Sequence, residues 1–116
     1  MAAGRDVLYV GTYTHGTSVG VHIYDMDPEV GALTERKVIP INNASYLTVS
    51  RSGKYLYSIA DEGVEAYRIL PDGDLEYINQ AGIRGMRGCY SSTDSKDRFL
   101  YVAGYHDGKV TVMSLN

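Results

Sequence analysis

Apolar residues fall in short runs cut by Gly, Pro, Asp and Asn, and nowhere recur at the spacing of a helix face. The runs are rich in Val, Ile, Leu and Tyr, as strands are. They predict strands at 7–13, 19–25, 33–38, 45–50, 55–60, 64–70, 75–80, 89–93, 99–105 and 109–115. Pro40 ends the third of these, because proline cannot donate to a ladder. Between runs lie turns such as Asp27-Pro28-Glu29-Val30-Gly31 and Pro71-Asp72-Gly73, where Pro presets φ and Gly takes the left-handed position. Several strands, Phe99-Leu100-Tyr101-Val102-Ala103-Gly104 among them, are nearly continuous apolar runs, which predicts sheets covered on both faces.

The pattern repeats. Leu8-Tyr9-Val10-Gly11-Thr12-Tyr13 returns as Lys54-Tyr55-Leu56-Tyr57-Ser58-Ile59-Ala60 and again as Arg98-Phe99-Leu100-Tyr101-Val102-Ala103-Gly104-Tyr105. Polar turns precede the three copies: Gly4-Arg5-Asp6, Ser52-Gly53-Lys54 and Lys96-Asp97-Arg98. Repeats of about 40–50 residues made only of strands are the mark of a β-propeller, one four-stranded blade per repeat. The chain is therefore read as all-β, a β-propeller fragment of about two and a half antiparallel blades. Residues 1–41 give three strands of one blade, 42–82 a complete blade, and 83–116 three strands of the next. The chain stops where a fourth strand is due, so it reads as part of a longer protein or as one copy of an assembly. Each open blade face of roughly 400–500 Å² is worth on the order of 10 kcal/mol of burial, which predicts self-association through those faces.

Composition narrows the partners. Eleven tyrosines stand against one Phe and no Trp. Most serve as strand formers, while those at a rim can stack on sugar rings. A net charge of −3 without a Lys/Arg cluster argues against nucleic acid, and no apolar run is long enough to span a membrane. Cys89 stands alone, which excludes an internal disulfide and suits a reducing compartment. With no apolar leader at the N-terminus, a cytoplasmic location is expected. Asn43-Ala44-Ser45 is formally a glycosylation sequon, without meaning in that compartment.

Several phrases resemble the seven-bladed β-propeller lactonases, a family that includes propeller-type 6-phosphogluconolactonases and carboxymuconate lactonising enzymes. They are Leu8-Tyr9-Val10-Gly11-Thr12-Tyr13-Thr14, Asp25-Met26-Asp27-Pro28-Glu29-Val30-Gly31-Ala32-Leu33-Thr34, Ser45-Tyr46-Leu47-Thr48-Val49-Ser50, Gly53-Lys54-Tyr55-Leu56-Tyr57 and Phe99-Leu100-Tyr101-Val102-Ala103-Gly104-Tyr105-His106. The resemblance covers the whole chain but the first third of a family member. It implies hydrolysis of a phosphorylated sugar lactone, with a small anionic lactone as partner and no cofactor. Two phrases depart from the family: its Pro-Cys-His is Gly88-Cys89-Tyr90 here, and its Asn-Tyr is Gly104-Tyr105. The family's usual active-site segments lie in later blades, so this chain alone is expected not to turn over the lactone. A non-catalytic ligand- or protein-binding propeller and a carboxymuconate-type enzyme are the alternatives.

Antiparallel order brings the start of strands one and three and the end of strands two and four of every blade to one rim. A lactone hydrolase needs a base, oxyanion donors and cations there. His106 has the residue type for the base; the alternative is a solvated loop histidine beside Asp107. Arg84 and Arg87 lie in Gly82-Ile83-Arg84-Gly85-Met86-Arg87-Gly88, where glycines let backbone N–H groups approach an anion. Tyr46 and Tyr90 hold equivalent repeat positions and can stack on a sugar or pack between blades. His15, in a Gly/Thr/Ser loop, is a further substrate-binding candidate. His22, between Val21 and Ile23, reads as a packed or surface strand residue, and Cys89 as a small buried one. Asp61, Glu62, His106 and Asp107 match no metal-ligand spacing, so no metal is expected.

Overall fold

A computed structural model describes residues 6–116, so the turn at residues 4–6 lies mostly outside the described residues. It contains ten strands and no helix among the described residues. β1 (Asp6–Val10), β2 (Gly20–Met26) and β3 (Leu33–Pro40) form one antiparallel sheet. β4 (Leu47–Val49), β5 (Tyr55–Ala60), β6 (Gly63–Ile69) and β7 (Leu75–Gly82) form a second. β8 (Tyr90–Thr93), β9 (Phe99–Ala103) and β10 (Val110–Ser114) form the third. All three are meanders in chain order, as propeller blades are. The tight turns behave as their residues dictate: Gly31, Gly53 and Gly73 all take positive φ.

The repeat extends to irregularities. The second sheet has a bulge between Ala66 and Tyr67, and the first has one at the matching place, between Ile23 and Tyr24. A bulge shifts the side-chain alternation by one residue and so re-aims everything beyond it.

Two hydrophobic clusters join the sheets face to face. Val21 and Ile23 of β2 pack with Leu56 and Tyr67 between the first and second sheets. Tyr57, Ile59 and Val64 pack with Leu100 and Val102 between the second and third. β5 supplies both clusters from its two faces, and five of its six residues are buried. β9 alternates instead: Leu100 and Val102 are buried while Phe99 and Tyr101 stay open. The continuous apolar run at 99–104 thus has one covered face here, because no sheet lies beyond it. Polar bonds add to the apolar contacts. Tyr9 Oη donates to the Gly73 carbonyl at 2.5 Å. Thr48 Oγ1 donates to the Ser91 carbonyl at 2.8 Å. The Asp97 carboxylate accepts from the backbone N–H groups of Arg51 and Ser52 at 2.8 and 2.9 Å.

Cys89 differs from the sequence reading. It is exposed, at the mouth of β8, and the preceding Gly88 takes the buried place against Ile59 and Val102. Only a residue without a side chain fits that gap.

Candidate functional site

The segments after β1, β5 and β9 and before β4 and β8 meet at one rim, as antiparallel order requires. Their polar side chains form a network across all three sheets. Asn43, 8% exposed, sits before β4 with φ 50°, a conformation that Asn tolerates better than most residues. Its Oδ1 accepts from the Thr14 backbone N–H at 2.8 Å, and its Nδ2 donates to Asp61 Oδ1 at 2.9 Å. Arg87 Nη1 donates to the same Asp61 oxygen at 3.1 Å. The Arg87 guanidinium also lies 5.3 Å from the centre of the Tyr13 ring, which stacks at 5.7 Å on His15. With both ends of the Asn43 amide engaged inside the fold, its sequon carries no accessible acceptor.

Tyr46 immediately precedes β4 and Tyr90 opens β8, equivalent places in the repeat, and their rings lie 4.8 Å apart at a 45° tilt. They stand at one end of a cleft of about 370 Å³ that runs between β4 and β8 toward Arg51. The Tyr46 hydroxyl is held above its ordinary pKa, by burial first and then by Tyr90. The two rings offer stacking faces and their hydroxyls donors to a ligand in the cleft.

The glycine-rich loop does cradle an anion, and the anion is the chain's own. The Asp107 carboxylate accepts from Met86 N–H at 3.0 Å and fills the space that side chains on Gly85 or Gly104 would need. That backbone bond to Met86 leads the effects that hold Asp107 below the usual carboxylate pKa. Lys109 Nζ caps the same loop by donating to the Arg84 carbonyl at 3.2 Å. The Arg84 side chain is exposed, and His106 is exposed with its ring edge-on to Tyr105 at 5.5 Å.

The structure thus brings Arg87, Tyr13 and His15 together, and Tyr46 with Tyr90. Arg84 stands on the same loop as Arg87, and His106 on the loop after β9. Asn43 and Asp61, the hubs of the network, are given no binding or catalytic role by the sequence alone. The local signal was Asn before a strand, a residue type that accepts left-handed φ. Among the described residues no group of three or more His, Cys, Asp or Glu is placed to hold a metal ion. Among the described residues no helix is long and apolar enough to cross a membrane.

The family model for the seven-bladed β-propeller lactonases matches residues 7–116. The chain belongs to that family. A 6-phosphogluconolactonase of Bacillus subtilis is 38% identical over 110 residues, covering 90% of this chain and 32% of the relative. A crystal structure from Bacteroides fragilis superposes with a TM-score of 0.89 at 28% identity, over 98% of this chain and 33% of that one. A Pseudomonas aeruginosa protein described as a periplasmic gluconolactonase superposes with a TM-score of 0.86 at 29% identity, over 97% of this chain and 35% of that one. The chain therefore spans about a third of the length of the family members it matches. Three antiparallel sheets of that family's fold stand side by side among the described residues.

Proposed function

We propose that this chain supplies one sector of the ligand rim of a sugar-lactone hydrolase acting on a 6-phosphogluconolactone-like substrate. Its sheets correspond to residues 1–41, 42–82 and 83–116 of a longer ring. The observation that carries the reading is the Tyr46–Tyr90 pair at repeat-equivalent inner positions, on the rim that holds Arg87, in a chain 38% identical to a 6-phosphogluconolactonase. The paired phenols of Tyr46 and Tyr90 take a sugar ring, while Arg87 and Arg84 take the phosphate and His15 an adjacent hydroxyl. His106 acts as general base: water adds to the lactone carbonyl, the ring C–O bond breaks, and the product is the open-chain acid. A cytoplasmic location suits a phosphorylated substrate. The open outer faces, which carry Leu8, Tyr101 and Val112, are covered by further blades or by copies of this chain.

A second reading, a propeller that binds without catalysis, is favoured by one feature. The chain's own carboxylates already occupy the rim's donors, Asp61 pairing with Arg87 and Asp107 accepting from Met86 N–H in the 82–88 loop.

The test is turnover of 6-phosphogluconolactone by the assembled protein, compared with His106→Ala and Arg87→Ala. Loss of turnover in both variants supports hydrolysis with these roles. No turnover, or turnover indifferent to both, overturns it, and product analysis separates a carboxymuconate-type reaction.

A further inference from the structure

Water adding to a lactone carbonyl puts negative charge on its oxygen, and that oxygen needs a hydrogen-bond donor. The cleft between β4 and β8 holds one. Each of these strands ends its sheet, so the cleft opens between two strand edges, where sheets stacked face to face do not cover it. Thr48 Oγ1 donates to the Ser91 carbonyl at 2.8 Å and ties the two strands together beside the tyrosine pair. Tyr46 packs against the apolar cluster that joins the second and third sheets, which holds its ring in place. Its hydroxyl is bonded to that of Tyr90, and this bond, after burial, raises its pKa, so Tyr46 is the donor within the pair. Tyr90 Oη accepts there and keeps its own proton for a ligand, with the side chain open to the cleft and the residue 52% exposed. Ala103 stands directly across from Tyr90, and the loop that follows Ala103 carries His106. Donor and base thus come from neighbouring strands of one sheet, at one rim.

We propose that Tyr90 is the oxyanion donor of the lactone hydrolysis and that Tyr46 positions it. The inference rests on the function proposed for the rim and adds the group that stabilises its transition state. The water oxygen bonds to the lactone carbonyl carbon, and His106 takes the water proton. The C=O electron pair moves onto the oxygen, which accepts from the Tyr90 hydroxyl. The C=O then re-forms, the ring C–O bond breaks, and the ring oxygen takes the proton from His106. Tyr90 keeps its proton throughout. An O–H that accepts a hydrogen bond is polarised into a better donor, so the bond from Tyr46 strengthens the one that Tyr90 makes. The donor is also fixed before the substrate arrives, because packing holds Tyr46 and the Thr48 bond holds the spacing of the two strands.

The experiment measures kcat and KM for 6-phosphogluconolactone in the assembled protein, with a thermal melt of each variant. Tyr90→Phe keeps the ring and removes the hydroxyl, and it is expected to lower kcat by about 10²-fold or more with KM within about twofold of the wild type. Tyr46→Phe is expected to lower kcat by about 3–10-fold and to spare KM in the same way. Tyr77→Phe, on the outermost strand of the second sheet, turns over at the wild-type rate. A kcat within about threefold of the wild type in Tyr90→Phe overturns the donor role and leaves hydrolysis at the rim standing. A raised KM with kcat unchanged overturns it as well, and makes Tyr90 a stacking face alone. No turnover by the wild type overturns the rim reading and this inference with it.

Discussion

Asp61 and Arg87 meet across the junction of the second and third sheets, with Arg87 Nη1 donating to Asp61 Oδ1 at 3.1 Å. The same oxygen accepts from Asn43, whose other amide end holds Thr14 beyond β1. One carboxylate oxygen thus ties together segments from all three sheets. The consequence for stability depends on which member is removed.

Asn43→Ala is expected to lower stability by about 2 kcal/mol, since it leaves the Thr14 N–H without its acceptor and puts alanine at a left-handed φ. Asp61→Asn, at a half-exposed ion pair, is expected to lower it by less than about 1 kcal/mol. Chemical denaturation of the two variants checks the order. Equal losses would mean that the ion pair, not the buried amide, joins the sheets.

Gly88 is buried against Ile59 and Val102, and a Cβ there would overlap Val102 and stand 3.0 Å from Ile59 Cδ1. Gly88→Ala is expected to cost about 1–3 kcal/mol by overpacking the junction. Gly16→Ala, where a Cβ meets nothing, serves as the neutral control in the same thermal or denaturant melt.

Tyr67 is 3% exposed and donates to Glu65 Oε1 at 2.7 Å. Burial first, and the Glu65 bond second, push its hydroxyl well above the ordinary value of 10.0. The unfolded chain therefore releases this proton at lower pH than the folded one. Stability from this group is whole below pH 10 and falls as pH rises beyond it. Denaturation between pH 9 and 11 is expected to show a smaller alkaline loss in Tyr67→Phe than in the wild type.

Asp97 has the opposite sign. The backbone N–H of Arg51, then that of Ser52, hold its carboxyl below the ordinary 3.8. Its contribution is present above that value and lost as pH falls through the lower folded one. The stability gap between wild type and Asp97→Ala is expected to be constant near neutrality and to shrink below pH 4, read from urea midpoints across that range.

The repeated phrase was legible because the pleat and the turn obey local rules. Short apolar runs, β-branched content and Pro-Asp-Gly chemistry mark ten strands whichever residues they later touch, though their ends moved. The first strand, expected over 7–13, stops at Val10, and Gly11, Thr12 and Tyr13 turn into the loop. The bulges left no such mark, since one residue of register is decided by packing on both faces. Arg87, His15, Tyr46 and Tyr90 were visible as candidates by residue type and repeat position. Their partners were not.

The three copies of Leu-Tyr show where the division falls. Sequence alone determined that Leu8, Leu56 and Leu100 share one face of their strands and Tyr9, Tyr57 and Tyr101 the other. Burial was decided by which sheet stands opposite. Leu8 is 37% exposed, Leu56 and Leu100 0% and 1%; Tyr57 is 7% exposed and Tyr101 37%. Tertiary structure likewise decided that Asp61 answers Arg87, that Asp107 fills the glycine-rich loop, and that a bulge sets Glu35 beside His22. Local preference acts within a few residues and is written in the chain. A contact across 26 residues, as between Asp61 and Arg87, exists only once packed sheets fix the distance between their loops.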